Sequence, residues 1–260
     1  MKTKVKYLEF LLVFIIATIC SLTPCLSIPQ STNSSNIEIL PIGMPLSLQQ
    51  KEIVISSGDV RLGLYETESG LSVKKYTVQI NKEGICSDED IEDVLYVREK
   101  SEPFLIIKGI PSLEEGPIKT SFWGHQYLYP GMTIHLKLDE ISYQLTSIGN
   151  AKLQDRHPTV YVEDYRVFFR SNSDALRLTQ QKLNYYPFQT IRDFKKDQVD
   201  IDNGPALIWA GDMDKDGKID LILDLSKGLY SAHITLFLSS YAEKNEYLHE
   251  VAMTLKYFDC

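Results

Sequence analysis

Four aspartates stand at nearly alternate positions around one glycine, in the segment Asp212-Met-Asp214-Lys-Asp216-Gly217-Lys-Ile-Asp220. A hard cation such as calcium takes six to eight oxygen ligands at short range, and a short aspartate-rich loop can supply several of them. Gly217 lets the backbone turn sharply where a side chain would obstruct it. The sequence therefore predicts a calcium site, with calcium as the cofactor.

Each ligand of the loop has a predicted role. Asp212, Asp214 and Asp216 each supply one side-chain oxygen. Lys218 supplies its backbone carbonyl while its ammonium group points to solvent, and Asp220 closes the site with two oxygens. Four carboxylates in one turn repel one another when no cation is present. We therefore expect a structural calcium that holds the loop closed.

The segments on either side of the loop indicate a β-hairpin and not an EF-hand. An EF-hand has a helix on each side and a glutamate at the twelfth position, which is Leu223 here. Instead, Ala206-Leu-Ile-Trp-Ala210 leads into the loop and Leu221-Ile-Leu-Asp-Leu225 leads out of it. Short apolar runs of this kind are typical of buried strands.

The order strand, Gly-Asp-x-Asp-x-Asp-Gly-x-x-Asp, strand resembles the calcium loop of FG-GAP repeats. Such repeats occur in integrin α-subunit propellers and in many exported bacterial proteins. Residues 211–221 match the calcium-binding part of the pattern, and the resemblance covers roughly residues 203–240. It implies a calcium-bound hairpin. A propeller needs several blades, and this chain has one copy of the loop, so we do not expect a full propeller.

The start of the chain is typical of an export signal. Three lysines within the first six residues precede a largely apolar stretch over residues 8–19, which predicts a signal peptide over residues 1–27. A lipoprotein anchored at Cys20 or Cys25 is the alternative. The expected location is secreted, periplasmic or on the cell surface, where calcium is abundant enough to fill even a weak site.

Charge and cysteine content exclude some classes of partner. The formal net charge is −8, and the predicted signal peptide carries three of the lysines. Nucleic acids and anionic membrane surfaces attract basic proteins, so neither is an expected partner. No second apolar run is long enough to span a membrane. Cys86 and Cys260 remain after the signal peptide, and in an exported protein we expect them to form one disulfide; two free thiols are the alternative.

The rest of the chain is predicted to be mainly β. Residues 28–47 are interpreted as a flexible leader and residues 48–260 as a β-rich domain, forming one lobe or two lobes with a break near residues 112–130. Apolar and polar residues alternate with period two in at least six segments, which favours antiparallel sheets. The predicted fold is an antiparallel β-sandwich or an irregular barrel.

Some segments depart from simple alternation. Residues 88–96 and, less clearly, residues 173–183 have the pattern of short helices. The phase of alternation shifts after Lys74-Lys75, which suggests a β-bulge. His135 and His233 fall opposite the main apolar residues of their strands, so we expect both to be exposed or half-buried.

The densest aromatic stretch runs over residues 122–130. Aromatic rings on a β scaffold can stack on sugars or fill a pocket of a partner protein. Trp123, Tyr127 and Tyr129 are therefore candidate contacts for a protein or carbohydrate ligand. The alternative is a segment that packs over the core.

These features favour an exported calcium-binding β protein that acts as a binding or surface-interaction module without catalysis. No nucleophile elbow or zinc-type histidine pair is present in the sequence. Two alternatives stay open. One is a secreted calcium-dependent hydrolase acting on sugars or phosphoesters, and the other is a component of a cell-envelope assembly.

Overall fold

The computed structural model describes an all-β chain. The described residues are 37–42, 55–68, 70–84, 91–95, 103–154, 157–172, 189–194, 199–200, 204–227, 231–254 and 256–257. They contain strands, turns and bends but no helix, and so no helix able to cross a membrane. The predicted fold class is confirmed.

Nineteen strands are present in the described part of the chain. Most are short, and β10 and β11 are the longest. The strands are β1 (Glu38–Pro41), β2 (Val60–Thr67), β3 (Gly70–Thr77), β4 (Ile80–Gly84), β5 (Ile91–Leu95), β6 (Leu105–Lys108), β7 (Gly116–Pro117), β8 (Lys119–Tyr127), β9 (Thr133–Leu138), β10 (Ile141–Gln154), β11 (His157–Ser171), β12 (Gln189–Asp193), β13 (Val199–Asp200), β14 (Ala206–Asp212), β15 (Asp220–Asp224), β16 (Ser231–Ala232), β17 (Ile234–Leu238), β18 (His249–Met253) and β19 (Lys256–Tyr257).

Three antiparallel sheets of five strands make up most of the fold. The N-terminal sheet has the order β1-β6-β2-β3-β7, and the central sheet has the order β18-β17-β15-β14-β8. The long-strand sheet has the order β12-β11-β10-β9, with β13 also paired to β11. Two further pairs, β4-β5 and β16-β19, complete the described strands. Within the described residues none of these sheets closes into a barrel, so the architecture is consistent with a sandwich and not with the irregular barrel.

The central sheet is buried on both faces. Leu221 and Leu223 pack in one apolar cluster with the long-strand sheet, whereas Ile222 between them packs in another with the N-terminal sheet. Successive side chains of a strand point to opposite faces. A strand covered on both faces must therefore be apolar at every position, which explains the unbroken run after the aspartate loop.

The phase shift in β3 comes from a second apolar face and not from a β-bulge. The pairing of β2 with β3 runs without a register shift from Val60↔Thr77 to Thr67↔Gly70. Val73 belongs to the cluster facing the central sheet, and Tyr76 belongs to a small cluster with Leu40 on the other face. The bulge prediction is therefore wrong, since the strand changes which face it buries and keeps its register.

Other segments differ from the sequence-based expectations. The helix predicted over residues 88–96 is wrong, because Ile91–Leu95 forms β5 and pairs with β4. An isolated helix this short is unstable, whereas strand pairing satisfies its backbone groups directly. The helix predicted over residues 173–183 lies outside the described residues, as do the signal peptide over residues 1–27 and both cysteines of the predicted disulfide.

The β domain begins earlier than residue 48. Strand β1 lies within the segment interpreted as a leader, and it pairs with β6 over four residues. Ile39 is 1% exposed, so this strand belongs to the core. The described residues, all of which follow residue 35, belong to one compact unit. The segment 112–130, considered as a break between lobes, carries β7 of the N-terminal sheet and β8 of the central sheet.

Candidate metal site

The aspartate loop connects β14 and β15 as a β-hairpin of the central sheet. Gly211 pairs with Asp220 at the end of the two strands, and residues 213–219 form the loop between them. Gly217 has a φ of 81°, a left-handed conformation that glycine adopts without strain. The predicted hairpin is therefore present, with its glycine at a sharp turn.

Three of the four aspartates converge in this loop. One carboxylate oxygen each from Asp212, Asp214 and Asp216 lies within 4.8 Å of the other two, and this group could hold a metal ion. The loop backbone folds around the carboxylates: the Gly217 N–H donates to Asp212 Oδ2 at 3.1 Å, and the Lys218 N–H donates to Asp216 Oδ1 at 2.8 Å. The shape of the loop is thus set partly by the side chains that would bind the ion.

Asp220 lies apart from this group of three. Its side chain is fully buried, and its two oxygens accept hydrogen bonds from two different elements. The Met213 N–H donates to Asp220 Oδ2 at 2.7 Å, and the Ser239 N–H donates to Asp220 Oδ1 at 2.8 Å. The structure therefore places Asp220 as a link between the hairpin and the end of β17.

Two serines that the sequence analysis did not single out complete the surroundings of the loop. Ser239 Oγ donates to Asp216 Oδ2 at 2.8 Å, and Ser240 Oγ donates to Asp214 Oδ2. Both serines follow β17, the neighbour of β15 in the central sheet. A signal for them was present in the sequence, since an apolar strand that ends in Ser-Ser presents hydroxyls at one edge. The loop motif alone does not reveal which strand lies beside it.

The charge balance of the site is negative. Burial and the neighbouring Asp216 and Asp214 raise the pKa of Asp212. Burial and the charge of Asp214 raise the pKa of Asp220 well above its ordinary value. Asp212 Oδ1 is buried and has no hydrogen-bond partner. A buried carboxylate oxygen without a donor is costly, and a cation would compensate it.

Two lysines lie in the loop, and one of them makes a long ion pair with the group of three carboxylates. Lys218 Nζ is 3.8 Å from Asp216 Oδ2, at the outer limit of an ion pair. Lys215 Nζ bonds instead to Glu114 Oε2 at 2.7 Å. Lys218, predicted as a backbone ligand, is exposed, which agrees with an ammonium group in solvent.

The long-strand sheet also reaches the loop. Tyr143 of β10 is 4% exposed and stacks on Phe169, with ring centroids 5.7 Å apart. Burial raises the pKa of Tyr143 to about 12, and the charges of Asp216, Asp220 and Asp212 add to that rise, while a hydrogen bond from the Ile219 backbone opposes it. The hairpin therefore lies close to a stacked aromatic pair of the long-strand sheet.

The three aromatic ligand candidates have different surroundings. Trp123 is half-buried: its ring lies 5.0 Å from that of Phe104, and its Nε1 donates to Glu66 Oε1 at 3.1 Å. Tyr129 is 44% exposed. The centroid of Tyr127 is 6.1 Å from that of Tyr129. Tyr127 and Tyr129 are thus neighbours near the surface, whereas Trp123 packs against the core between two sheets.

Taken together, the carboxylates, the buried oxygen of Asp212 and the serine hydroxyls form an oxygen-rich, acidic site at one end of the central sheet. Such a site can bind a hard cation. Comparison of the chain with protein-family models, with curated proteins and with solved structures gave no match.

Proposed function

We propose that the protein binds one calcium ion in the β14–β15 hairpin and that the ion stabilises the fold. The observation that carries this proposal is the convergence of Asp212, Asp214 and Asp216, whose oxygens lie within 4.8 Å of one another. The buried, unpartnered Oδ1 of Asp212 supports it, because a cation is the partner that would satisfy that oxygen.

The choice of calcium rests on the chemistry of the donors. Carboxylate oxygens are hard ligands and favour calcium, magnesium or manganese over zinc or copper. Magnesium prefers a strict octahedron in which it keeps several waters, whereas calcium accepts six to eight oxygens in a flexible arrangement. A loop with three converging side chains, and with the Lys218 carbonyl as a predicted further ligand, suits calcium better. The resemblance to the FG-GAP loop points the same way.

The proposed role of the ion is structural. Both strands of the hairpin are in the middle of the central sheet, and the aspartates lie at the end of these strands. Repulsion among the carboxylates would open this end, and an ion would convert the repulsion into coordination. An ion present at one hundred times its Kd adds about 2.7 kcal/mol to the free energy of unfolding.

We further propose that the protein is exported and serves as a binding module for a protein or carbohydrate ligand. The predicted signal peptide supports export, and calcium is plentiful outside the cytoplasm. Tyr127 and Tyr129, close to the surface, support the second part. A stabilised β scaffold that carries exposed aromatic rings is a common arrangement in ligand binding.

Thermal unfolding tests the proposed calcium site. The mature protein would be melted in excess calcium, in excess magnesium and in a chelator, alongside the variant Asp214→Ala/Asp216→Ala. For a chain of this size we expect calcium to raise the melting temperature by about 5–10 °C, from roughly 2–4 °C per kcal/mol. Magnesium should have a smaller effect, and the double variant should not respond to calcium.

Glu140→Ala is the matched control. Glu140 is an exposed acid in the turn between β9 and β10, so its removal should leave the calcium response intact. Elemental analysis of the purified protein distinguishes an empty site from one that does not release its ion. An unchanged melting temperature together with the absence of calcium by elemental analysis would overturn the proposal.

A further inference from the structure

The loop between β17 and β18, residues 239–248, is fastened at its first end by the aspartate hairpin. Ser239 uses its backbone N–H for Asp220 and its hydroxyl for Asp216, at 2.8 Å in both cases. The hydroxyl of Ser240 donates to Asp214. Two of the three aspartates of the proposed metal site therefore also hold the start of this loop.

The other end of the loop is fastened independently of the aspartates. Gln189 of β12 accepts hydrogen bonds from the Tyr247 N–H at 2.7 Å and the Leu248 N–H at 2.9 Å. Its amide group donates back to the Leu248 carbonyl. Leu248 is 1% exposed and packs in the cluster shared with the long-strand sheet. This end therefore has an anchor that does not depend on a metal ion.

The middle of the loop is on the surface. Residues 243–246 are exposed, and Tyr241 is 37% exposed. Within this part, the Glu246 N–H donates to the Glu243 carbonyl at 3.0 Å. The position of the middle thus depends on its two anchors, and one of them consists of carboxylates that would bind the ion.

We propose that occupancy of the metal site controls the order of loop 239–248, with Ser240 as the residue that couples them. This inference rests on the proposed calcium site. Each carboxylate oxygen can accept more than one interaction, so an oxygen that accepts a serine hydroxyl can also face an ion. A bound ion would fix Asp214 and Asp216 where both serines reach them.

The coupling acts in both directions. In the metal-free protein, repulsion among the carboxylates displaces the acceptors of Ser239 and Ser240, and the first anchor of the loop loosens. Conversely, the hydroxyls orient the carboxylates, as groups around metal ligands generally do. Because coupling between two sites is reciprocal, weakening the serine contact must also weaken calcium binding. Ser240 is therefore a positioning residue of the site.

Hydrogen exchange measured by mass spectrometry tests this inference on the mature protein, with calcium or a chelator present. We expect calcium to slow exchange at least tenfold in peptides covering residues 239–248. Peptides covering residues 55–60, which include the exposed turn at Gly58, serve as an internal reference and should not change. Exchange of the loop peptides and of the reference peptides is compared well below the melting temperature, where local opening dominates.

Three variants make the result specific. Ser240→Ala should lose most of the protection of the loop and bind calcium about tenfold more weakly, as expected for loss of an orienting partner. Ser240→Thr keeps a hydroxyl and should restore both. Ser56→Ala removes an exposed serine in a distant turn and should behave like the unmodified protein.

The possible failures are distinguishable. If calcium binds and protects residues 212–220 but leaves residues 239–248 unchanged, the coupling is wrong and the calcium site stands. Equal protection of the loop in Ser240→Ala and the unmodified protein would also overturn the role of Ser240. If calcium does not bind by isothermal titration, the proposed function and the coupling fail together.

Discussion

The two ends of strand β17 bury ionisable groups in opposite ways. At the end preceded by His233, a neutral imidazole is buried: the residue is 6% exposed, and its Nε2 lies 3.2 Å from Met253 Sδ. At the end followed by Ser239, several carboxylates gather around the aspartate hairpin. We refer to these as the histidine end and the aspartate end of the central sheet.

At the histidine end, groups of the protein itself compensate the buried imidazole, and no ion is needed. Burial and the positive charges of Arg192 and Lys227 lower the pKa of His233 to about 4, so the ring is neutral at pH 7. Its backbone N–H donates to Ser226 Oγ at 3.1 Å, and that hydroxyl in turn donates to Asp224. A single titratable group can avoid the cost of a buried charge by remaining neutral.

The aspartate end holds several carboxylates close together instead of a single titratable group. Burial raises the pKa of both Asp212 and Asp220, and the neighbouring carboxylates of the loop raise it further, so charge is disfavoured there. A cation from solution is the simplest compensation. The comparison teaches that neighbours can accommodate a single buried titratable group, whereas carboxylates that raise one another's pKa leave a cost that the proposed cation would offset.

The largest expected effect comes from removing Asp220. In calcium, we expect Asp220→Ala to lower the free energy of unfolding by about 4 kcal/mol, because two buried N–H groups each lose their acceptor. In a chelator the loss should be smaller, since the substitution also removes repulsion with Asp214. Urea unfolding of the variant under both conditions measures the two values.

The matched control for that experiment lies at the other end of the same strand. Asp224 is half-buried and accepts from the Ser226 N–H at 2.9 Å and from the Ser226 hydroxyl. We expect Asp224→Ala to cost about 1 kcal/mol with or without calcium. Equal losses in the free energy of unfolding for Asp220→Ala and Asp224→Ala would contradict the inferred difference in charge compensation between the two ends.

The histidine end should give the next largest effect, as acid sensitivity. The folded-state pKa of His233 is about 4, below the ordinary value of 6.5. The unfolded chain therefore binds the proton first, and stability falls as pH is lowered from about 6.5 towards 4. After allowance for screening of the two cations by solvent, we expect a loss of about 2 kcal/mol.

The variant His233→Gln isolates this contribution. Its stability, measured by urea unfolding at several pH values, should fall less steeply than that of the unmodified protein between pH 6.5 and 4. The variant His135→Gln, at an exposed histidine of β9, is the control for replacing a histidine by glutamine. Parallel curves for His233→Gln and the unmodified protein would show that the ring is not the acid-sensitive group.

Much of the aspartate end could be predicted from the sequence because its determinants are local. The spacing of Asp212, Asp214 and Asp216 around Gly217 fixes a tight loop, and the apolar runs on either side fix a hairpin. The β class could also be predicted, since alternation records which side of each strand is buried. These signals depend on neighbours in the chain.

The rest depends on contacts that are distant in the chain. Ser239 and Ser240 lie 19 to 26 residues from the aspartates they contact, and Tyr143 comes from another sheet. His233 was expected to be exposed or half-buried, and that prediction is wrong, because the central sheet is covered on both faces. A strand with two buried faces has no polar side, so alternation cannot show which residues are exposed.

The smallest effect concerns the shape of the aspartate loop as distinct from its charge. Gly217 has a φ of 81°, with open space where a Cβ would lie. Gly217→Ala should therefore cost about 1–2 kcal/mol through backbone strain alone. We also expect weaker calcium binding by isothermal titration, because the left-handed turn directs the Gly217 N–H towards Asp212. Gly58 has a φ of 95° and equally open space in a distant turn. Gly58→Ala should thus show a similar loss of stability and an unchanged calcium affinity. If Gly217→Ala also kept its full calcium affinity, the charges of the loop and not its shape would determine binding at the aspartate end.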